Sequence, residues 1–167
     1  MTKLELENSI KSFLKQNPSI QKNSVLILGA GEGYSQEIFE SIGFKIITIV
    51  ENDRSKHQAL TKDNIIYLPI DFNYIYRAKN AEKFDVIFCY KAMKEDNIQE
   101  KFKATFKDLI TTMSNLLVNS KLSMGIGYFI MRNDQSALLS DIKTILPKAE
   151  SHPNQYDFNF TDLYFRN

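Results

Sequence analysis

Cysteine is nearly absent from this sequence. Cys89 stands alone among 167 residues, so no disulfide can form within the chain. It falls inside an apolar run, where a small core residue is expected. The two histidines, His57 and His152, lie far apart and have no cysteine partners, so no metal cluster is expected. Charge of one sign is missing too: 21 Lys and Arg face 20 Asp and Glu, a net of +1. A large nucleic-acid footprint usually shows as a basic excess, so nucleic acid is not favoured as a partner. Lys91, Lys94, Lys101, Lys103 and Lys107 make one basic stretch, but Glu95, Asp96, Glu100 and Asp108 dilute it into an ordinary solvated face. No apolar run approaches the ~20 residues that span a bilayer. The chain is charged from Lys3 onward, without the apolar core of a secretory leader. These absences predict a cytoplasmic chain, without membrane or metal, that folds on its own core. Its length predicts one domain over residues 1–167.

Only six glycines occur, and three of them crowd into five residues. Val25-Leu26-Ile27-Leu28 runs into Gly29-Ala30-Gly31-Glu32-Gly33, and a second apolar run, Ile46-Ile47-Thr48-Ile49-Val50, ends in Glu51. A strand feeding a glycine turn, then a strand ending in an acid, is how an α/β protein holds a nucleoside-containing cofactor. The turn admits the ligand close to backbone, and the acid takes the ribose hydroxyls. Glu51 follows Gly33 by eighteen residues, near the ~20 expected of a ribose-binding acid. The dinucleotide fingerprint G-x-G-x-x-G is broken, because Tyr34 stands where its third glycine belongs. A third run, Ile65 to Ile70, leads into Asp71-Phe72, and a fourth spans Phe84 to Tyr90. Singly, each feature has a plainer reading: a glycine turn without ligand, a solvated Glu, an Asp that caps a helix.

In this order the pieces resemble motifs I to IV of the class I S-adenosylmethionine-dependent methyltransferases, over roughly residues 24–130. The resemblance implies a single-domain Rossmann-like α/β fold. Its sheet would be mostly parallel and seven-stranded, with helices on both faces and a C-terminal antiparallel hairpin. It implies S-adenosylmethionine as cofactor and methyl transfer, and it assigns the contacts. Gly29, Ala30, Gly31 and Gly33 form the turn under the methionine and ribose. Glu51 accepts from both ribose hydroxyls, and Asn52 lines the adenine pocket. Asp71 accepts from the adenine amino group, and Phe72 packs on the ring. Tyr90, and also Tyr34, are placed to face the sulfonium, since aromatic faces attract cations. For Tyr34 a packing role at a helix start is an equal reading.

The acceptor and any general base stay open, because aligning two reactants does most of the work. Methylases of exocyclic base amines carry Asn- or Asp-Pro-Pro-Tyr or -Phe after the fourth strand. This chain has Cys89-Tyr90-Lys91-Ala92, which counts against an exocyclic base methylase, and its compact size fits a small-molecule acceptor. Lys91, Glu95 and Asp96 are within reach of an acceptor, with a solvated loop as their plainer reading. Three alternatives remain: an aminopropyltransferase similar to spermidine synthase, a methyltransferase-like binding subunit without catalysis, and a nicotinamide enzyme.

Along the chain, Thr2 and Glu5 form a capping-box pattern opening a helix over 2–17. Strands are predicted at 24–28, 45–50, 64–70, 84–90 and 121–130, the last with Gly125 and Gly127 marking a bulge or a close approach. Helices are predicted after the glycine turn as far as Gly43, from Asp53 to about 61, and as one long helix from Asn97 to Asn119. Another is capped by Asp134 and followed by Pro147. Residues 71–82 read as a loop with one helical turn, and two strands near 149–157 and 160–165 close the chain.

Overall fold

The apolar runs pair into one sheet. In the computed structural model, which describes residues 1–56, 62–77, 82–98 and 100–167, β1 (Ser24–Leu28), β2 (Ile46–Val50), β3 (Ile65–Leu68), β4 (Val86–Tyr90) and β5 (Ile126–Arg132) are parallel. β7 (Phe160–Phe165) inserts antiparallel between β5 and the edge strand β6 (Glu150–Pro153). The order β3-β2-β1-β4-β5-β7-β6 is the seven-stranded arrangement that the sequence implied. Chain direction across the sheet reverses between β1 and β4, and ligands bind beyond strand ends at such a point.

Successive side chains of each strand point to opposite faces, so both faces need cover. Val25 and Ile27 join one core layer, beneath α1 (Lys3–Gln16) and α2 (Tyr34–Ile42). Leu26 and Leu28 join the other, beneath α4 (Phe106–Asn115) and α5 (Ser136–Ile145). The predicted capping box forms: Glu5 N donates to Thr2 Oγ1 at 3.2 Å, and Thr2 N to Glu5 Oε2 at 2.6 Å. α1 is locked to the far edge of the sheet. Phe13 stacks on Tyr128 at 4.5 Å between ring centroids. Asn154, fully buried, donates to Ser9 Oγ at 3.0 Å and to Asp162 Oδ1 at 2.8 Å. Asp162 also accepts from the hydroxyls of Tyr128 at 3.2 Å and Tyr164 at 3.3 Å. Burial pushes the Asp162 carboxyl up from its ordinary value, against the pull of Asn154 and the two tyrosines.

Four expectations are corrected. The long helix from Asn97 is a 3-10 turn (Glu95–Asn97), a four-residue α3 (Glu100–Lys103), and then α4. Thr105 makes the break by turning both its amide and its hydroxyl onto the Phe102 carbonyl, each at 3.0 Å. Asn97 lies inside the 3-10 turn, and its side-chain amide donates to Ala92 O at 2.6 Å. The fifth strand starts at Ile126, because Ser120 and Ser123 close a turn on each other ahead of it. The expected close approach is there: a Cβ on Gly127 would lie 2.1 Å from the Phe165 ring, and one on Gly125 2.7 Å from the Phe84 carbonyl. Asp134 sits in a 3-10 turn ahead of α5 and pairs with Arg132 at 3.0 Å; the residue at the cap is Gln135. The helix expected from Asp53 is a 3-10 turn over Arg54–Lys56. Its continuation to 61, which includes His57, lies outside the described residues, as do 78–81 of the loop after β3.

Candidate functional site

Where β1 ends, the backbone turns left-handed. Gly29 (φ 82°) and Gly31 (φ 54°) adopt a conformation that side chains disfavour. Gly29 N donates to Val50 O at 2.8 Å, which ties the turn to the end of β2. A Cβ on Gly29 would press on Ala92 at 3.2 Å, whereas one on Gly31 would meet nothing within 4 Å. The space over Gly31 is open. Gly33 serves differently, as the N-cap of α2.

Glu51 follows the last residue of β2 and is buried, with 8% of its surface exposed. A buried carboxylate must be hydrogen-bonded, and here backbone amides do it. Ala30 N donates to Oε2 and Asp53 N to Oε1, each at 2.9 Å. Both bonds are charge-assisted and fix the carboxylate against the glycine turn.

Beyond β3, Asp71 Oδ1 accepts from Asn73 N at 2.9 Å and from Asn73 Nδ2 at 2.7 Å. This Asx turn opens the 3-10 segment Phe72–Arg77, so the plainer capping role of Asp71 is real. Asn73 is buried; its Nδ2 also donates to Asn97 O at 2.9 Å, while its Oδ1 has no hydrogen-bond partner among the described residues. Asp71, Asn73, Asn97 and Ala92 thus form one chain of bonds, fastening the end of β3 to the segment after β4. Nothing in the sequence marks Asn73, and Asn97 is expected only as the start of a long helix. Two asparagines at unrelated positions carry no spacing signal.

Together these segments enclose a crevice of about 410 Å³. Of the nine predicted site residues, Gly29, Gly31, Glu51, Asn52, Asp71, Phe72 and Tyr90 line it. Ala30 and Gly33 do not: the first gives its amide to Glu51, and the second caps α2. Val50, Lys56, Ile70, Lys91, Ala92, Lys94, Asp96 and Asn97 complete the wall. Tyr34 lies outside it, exposed at the start of α2, with Lys3 Nζ 5.2 Å from its ring centroid. Glu95 is also outside; its amide donates to Gln135 Oε1 at 2.8 Å. Cys89 is buried, which pushes its thiol up to about 12 and leaves it inert.

At the end of β4, Lys91 is the one non-glycine with a positive φ among the described residues, at 63°. Its Nζ lies 4.7 Å from the Tyr90 ring centroid and 5.4 Å from that of Phe160. The Tyr90 ring therefore already carries a cation. No group of three or more His, Cys, Asp or Glu among the described residues is placed to hold a metal.

No protein-family model matches the chain, and no curated protein matches it in sequence. Solved structures do match in fold. The N-methyltransferase NodS from Bradyrhizobium japonicum WM9 is 16% identical, with a TM-score of 0.64 over 96% of this chain and 97% of that one. The same protein is known in complex with S-adenosyl-L-homocysteine, matching at 18% identity and a TM-score of 0.58 over 87% of this chain and 78% of that one. The plantazolicin methyltransferase BpumL, in complex with a triazolic desmethylPZN analog and SAH, is 11% identical, with a TM-score of 0.66 over 97% of this chain and 83% of that one. The ribosomal protein L11 methylase from Lactobacillus delbrueckii subsp. bulgaricus is 14% identical, with a TM-score of 0.60 over 87% of this chain and 69% of that one. The shared feature is the Rossmann-like methyltransferase fold, reached at identities that speak for architecture alone.

Proposed function

We propose that this chain binds S-adenosylmethionine in the crevice and transfers its methyl group to a small-molecule acceptor. The observation that carries the reading is the Glu51 carboxylate, buried at the end of β2 and oriented by the amide of the glycine turn itself. The residues present suit the ligand. Space is open over Gly31, and about 410 Å³ falls within the ~300–1,000 Å³ of small-molecule sites. A carboxylate has roughly four acceptor positions, so Glu51 can receive ribose hydroxyls while its amides hold it in place. Asp71 and Phe72 stand together for the adenine amino group and ring, and Asn52 lies beside Glu51.

When bound, the cofactor supplies a sulfonium methyl: the acceptor's lone pair bonds to the methyl carbon as the carbon–sulfur bond breaks onto sulfur, and any proton on the acceptor leaves to solvent. The chain's own contribution is to hold the two reactants in line, an effect worth ~7–11 kcal/mol in well-aligned systems. The rings of Tyr90 and Phe160, tilted at 5.9 Å, stand at the strand ends where such an acceptor would arrive. Aminopropyl transfer would need an acid at the end of β4. Cys89 and Tyr90 stand there in this chain, and that reading gains no support.

Calorimetric titration with S-adenosylhomocysteine tests the proposal. Binding is expected, and Glu51→Gln should weaken it at least tenfold. A chain that takes up none of this ligand would sink the proposal. A bound ligand with no transfer of labelled methyl to any acceptor from a small-metabolite extract would leave the binding-subunit reading in its place.

A further inference from the structure

Building on the methyl-transfer reading, we infer that the acceptor carries an anionic oxyacid group, a carboxylate or a phosphate, which Lys91 and Arg132 grip in a second pocket beside the crevice. That pocket encloses about 440 Å³ and shares Lys91 with the first. Three strand ends build it. Tyr90 pairs with Ile130 across β4 and β5, and Lys91 N extends the ladder by donating to Ile130 O at 3.1 Å. Arg132 closes β5 and stands directly opposite Phe160 in the antiparallel register of β5 with β7. The sheet therefore sets a lysine, an arginine and an aromatic ring side by side, at the mouth of the crevice.

The charges there do not cancel. Asp157 Oδ2 pairs with the Met1 ammonium at 2.9 Å, and Asp134 pairs with Arg132. Lys91 has no carboxylate within ion-pair distance among the described residues, only the Tyr90 and Phe160 rings beside it. Ring faces hold an ammonium loosely enough for a true anion to recruit it. The Arg132–Asp134 pair is exposed on both sides, 61% and 55%, and such pairs are weak. Arginine has five donors in a planar fork, and one bond to Asp134 leaves most of them for a second oxyanion.

The pocket is also built stiff. Asn133 Nδ2 donates to Phe158 O at 2.7 Å, and its Oδ1 accepts from Thr161 Oγ1 at 2.9 Å. Asp157 Oδ1 accepts from Asn159 N at 3.0 Å. The left-handed backbone at Lys91 is kept although lysine disfavours it, and such outliers gather at ligand sites.

The test is a nuclear magnetic resonance titration of the labelled full chain with acetate, inorganic phosphate and neutral acetamide at constant ionic strength. Saturable shifts of the Lys91 and Arg132 amides are expected with acetate, phosphate or both, and which anion saturates tells carboxylate from phosphate. Affinity should fall at least tenfold in Lys91→Gly and several-fold in Arg132→Gln; if Lys91→Gly fails to fold, Arg132→Gln decides. Absence of saturation with either anion, equal shifts with acetamide, or a folded variant matching the wild type would overturn the inference. A parallel S-adenosylhomocysteine titration of the wild type separates the two failures. Nucleoside binding without an anion response rejects this pocket alone, and no nucleoside binding rejects the reading beneath it.

Discussion

The proposed site rests most on two residues, Glu51 and Lys91, and they differ in how far the sequence betrays them. Glu51 is legible because its position, after an apolar run and eighteen residues past the glycines, follows from how parallel strands end at a ligand site. Its backbone role is not legible, since acceptance from Ala30 and Asp53 depends on a turn that only the fold brings near. Glu51→Ala would be harmless to the fold if the carboxylate faced only ligand hydroxyls. It bonds two amides instead, one from a buried residue. We predict a loss of about 1–3 kcal/mol in urea unfolding, with Glu51→Gln milder because its amide oxygen keeps one acceptor. Lys91 gives no sign of itself in the sequence, because nothing about a lysine after a strand announces a φ of 63°. A left-handed side-chain-bearing residue costs roughly 1–2 kcal/mol, and a glycine returns part of that through a freer unfolded chain. Lys91→Gly should therefore raise stability by about 0.5–1 kcal/mol, read as a higher urea midpoint at unchanged slope.

At the scale of elements, periodicity reported the strands and the first two helices faithfully, because burial on a regular lattice is what it measures. It failed where local polar bonds override a continuous apolar pattern. Phe102, Leu109, Ile110 and Met113 all face the core, so the pattern runs unbroken through the Thr105 turn that divides α3 from α4. The fifth strand was drawn early for a related reason: Lys121 and Leu122 look strand-like, but the serines around them close a turn. Of the two meanings that glycines carry inside a strand, a bulge or a close approach, the second is found at Gly125 and Gly127, with a measurable consequence. Gly127 lies under the Phe165 ring, itself buried. Gly127→Ala should cost about 1–3 kcal/mol by overpacking. Adding Phe165→Leu should recover part of that loss in a double-mutant cycle; strictly additive losses would place the strain elsewhere.

Across the whole molecule, α1 and the β5–β7–β6 edge are joined through one buried acid. Asp162 sits among Tyr128, Tyr164, Asn154 and, at longer range, His152, and burial raises its pKa above the ordinary 3.8. The folded state therefore holds this proton more tightly than the unfolded chain does. The stability it confers is full below the unfolded pKa and is lost as pH rises through the higher folded value. The difference in unfolding free energy between wild type and Asp162→Asn should thus fall as pH climbs from about 4, then level off. A flat difference would mean that the acid titrates as it does in the unfolded chain. Saturating S-adenosylhomocysteine should lift the melting temperature in proportion to RT ln(1 + [L]/Kd), and Glu51→Gln should blunt that rise.

The insertion of β7 between β5 and β6 has a consequence for synthesis. Every residue lining the crevice falls within 29–97, whereas Phe160 of the second pocket, and the Tyr164 ring that stacks on Tyr128, belong to the strand translated after both its neighbours. A nascent chain leaving the ribosome carries every crevice-lining residue before the strand that closes the seam between β5 and β6 is made. Lys91 gains its second aromatic neighbour, and α1 its acid-centred anchor, only when that late strand slides home.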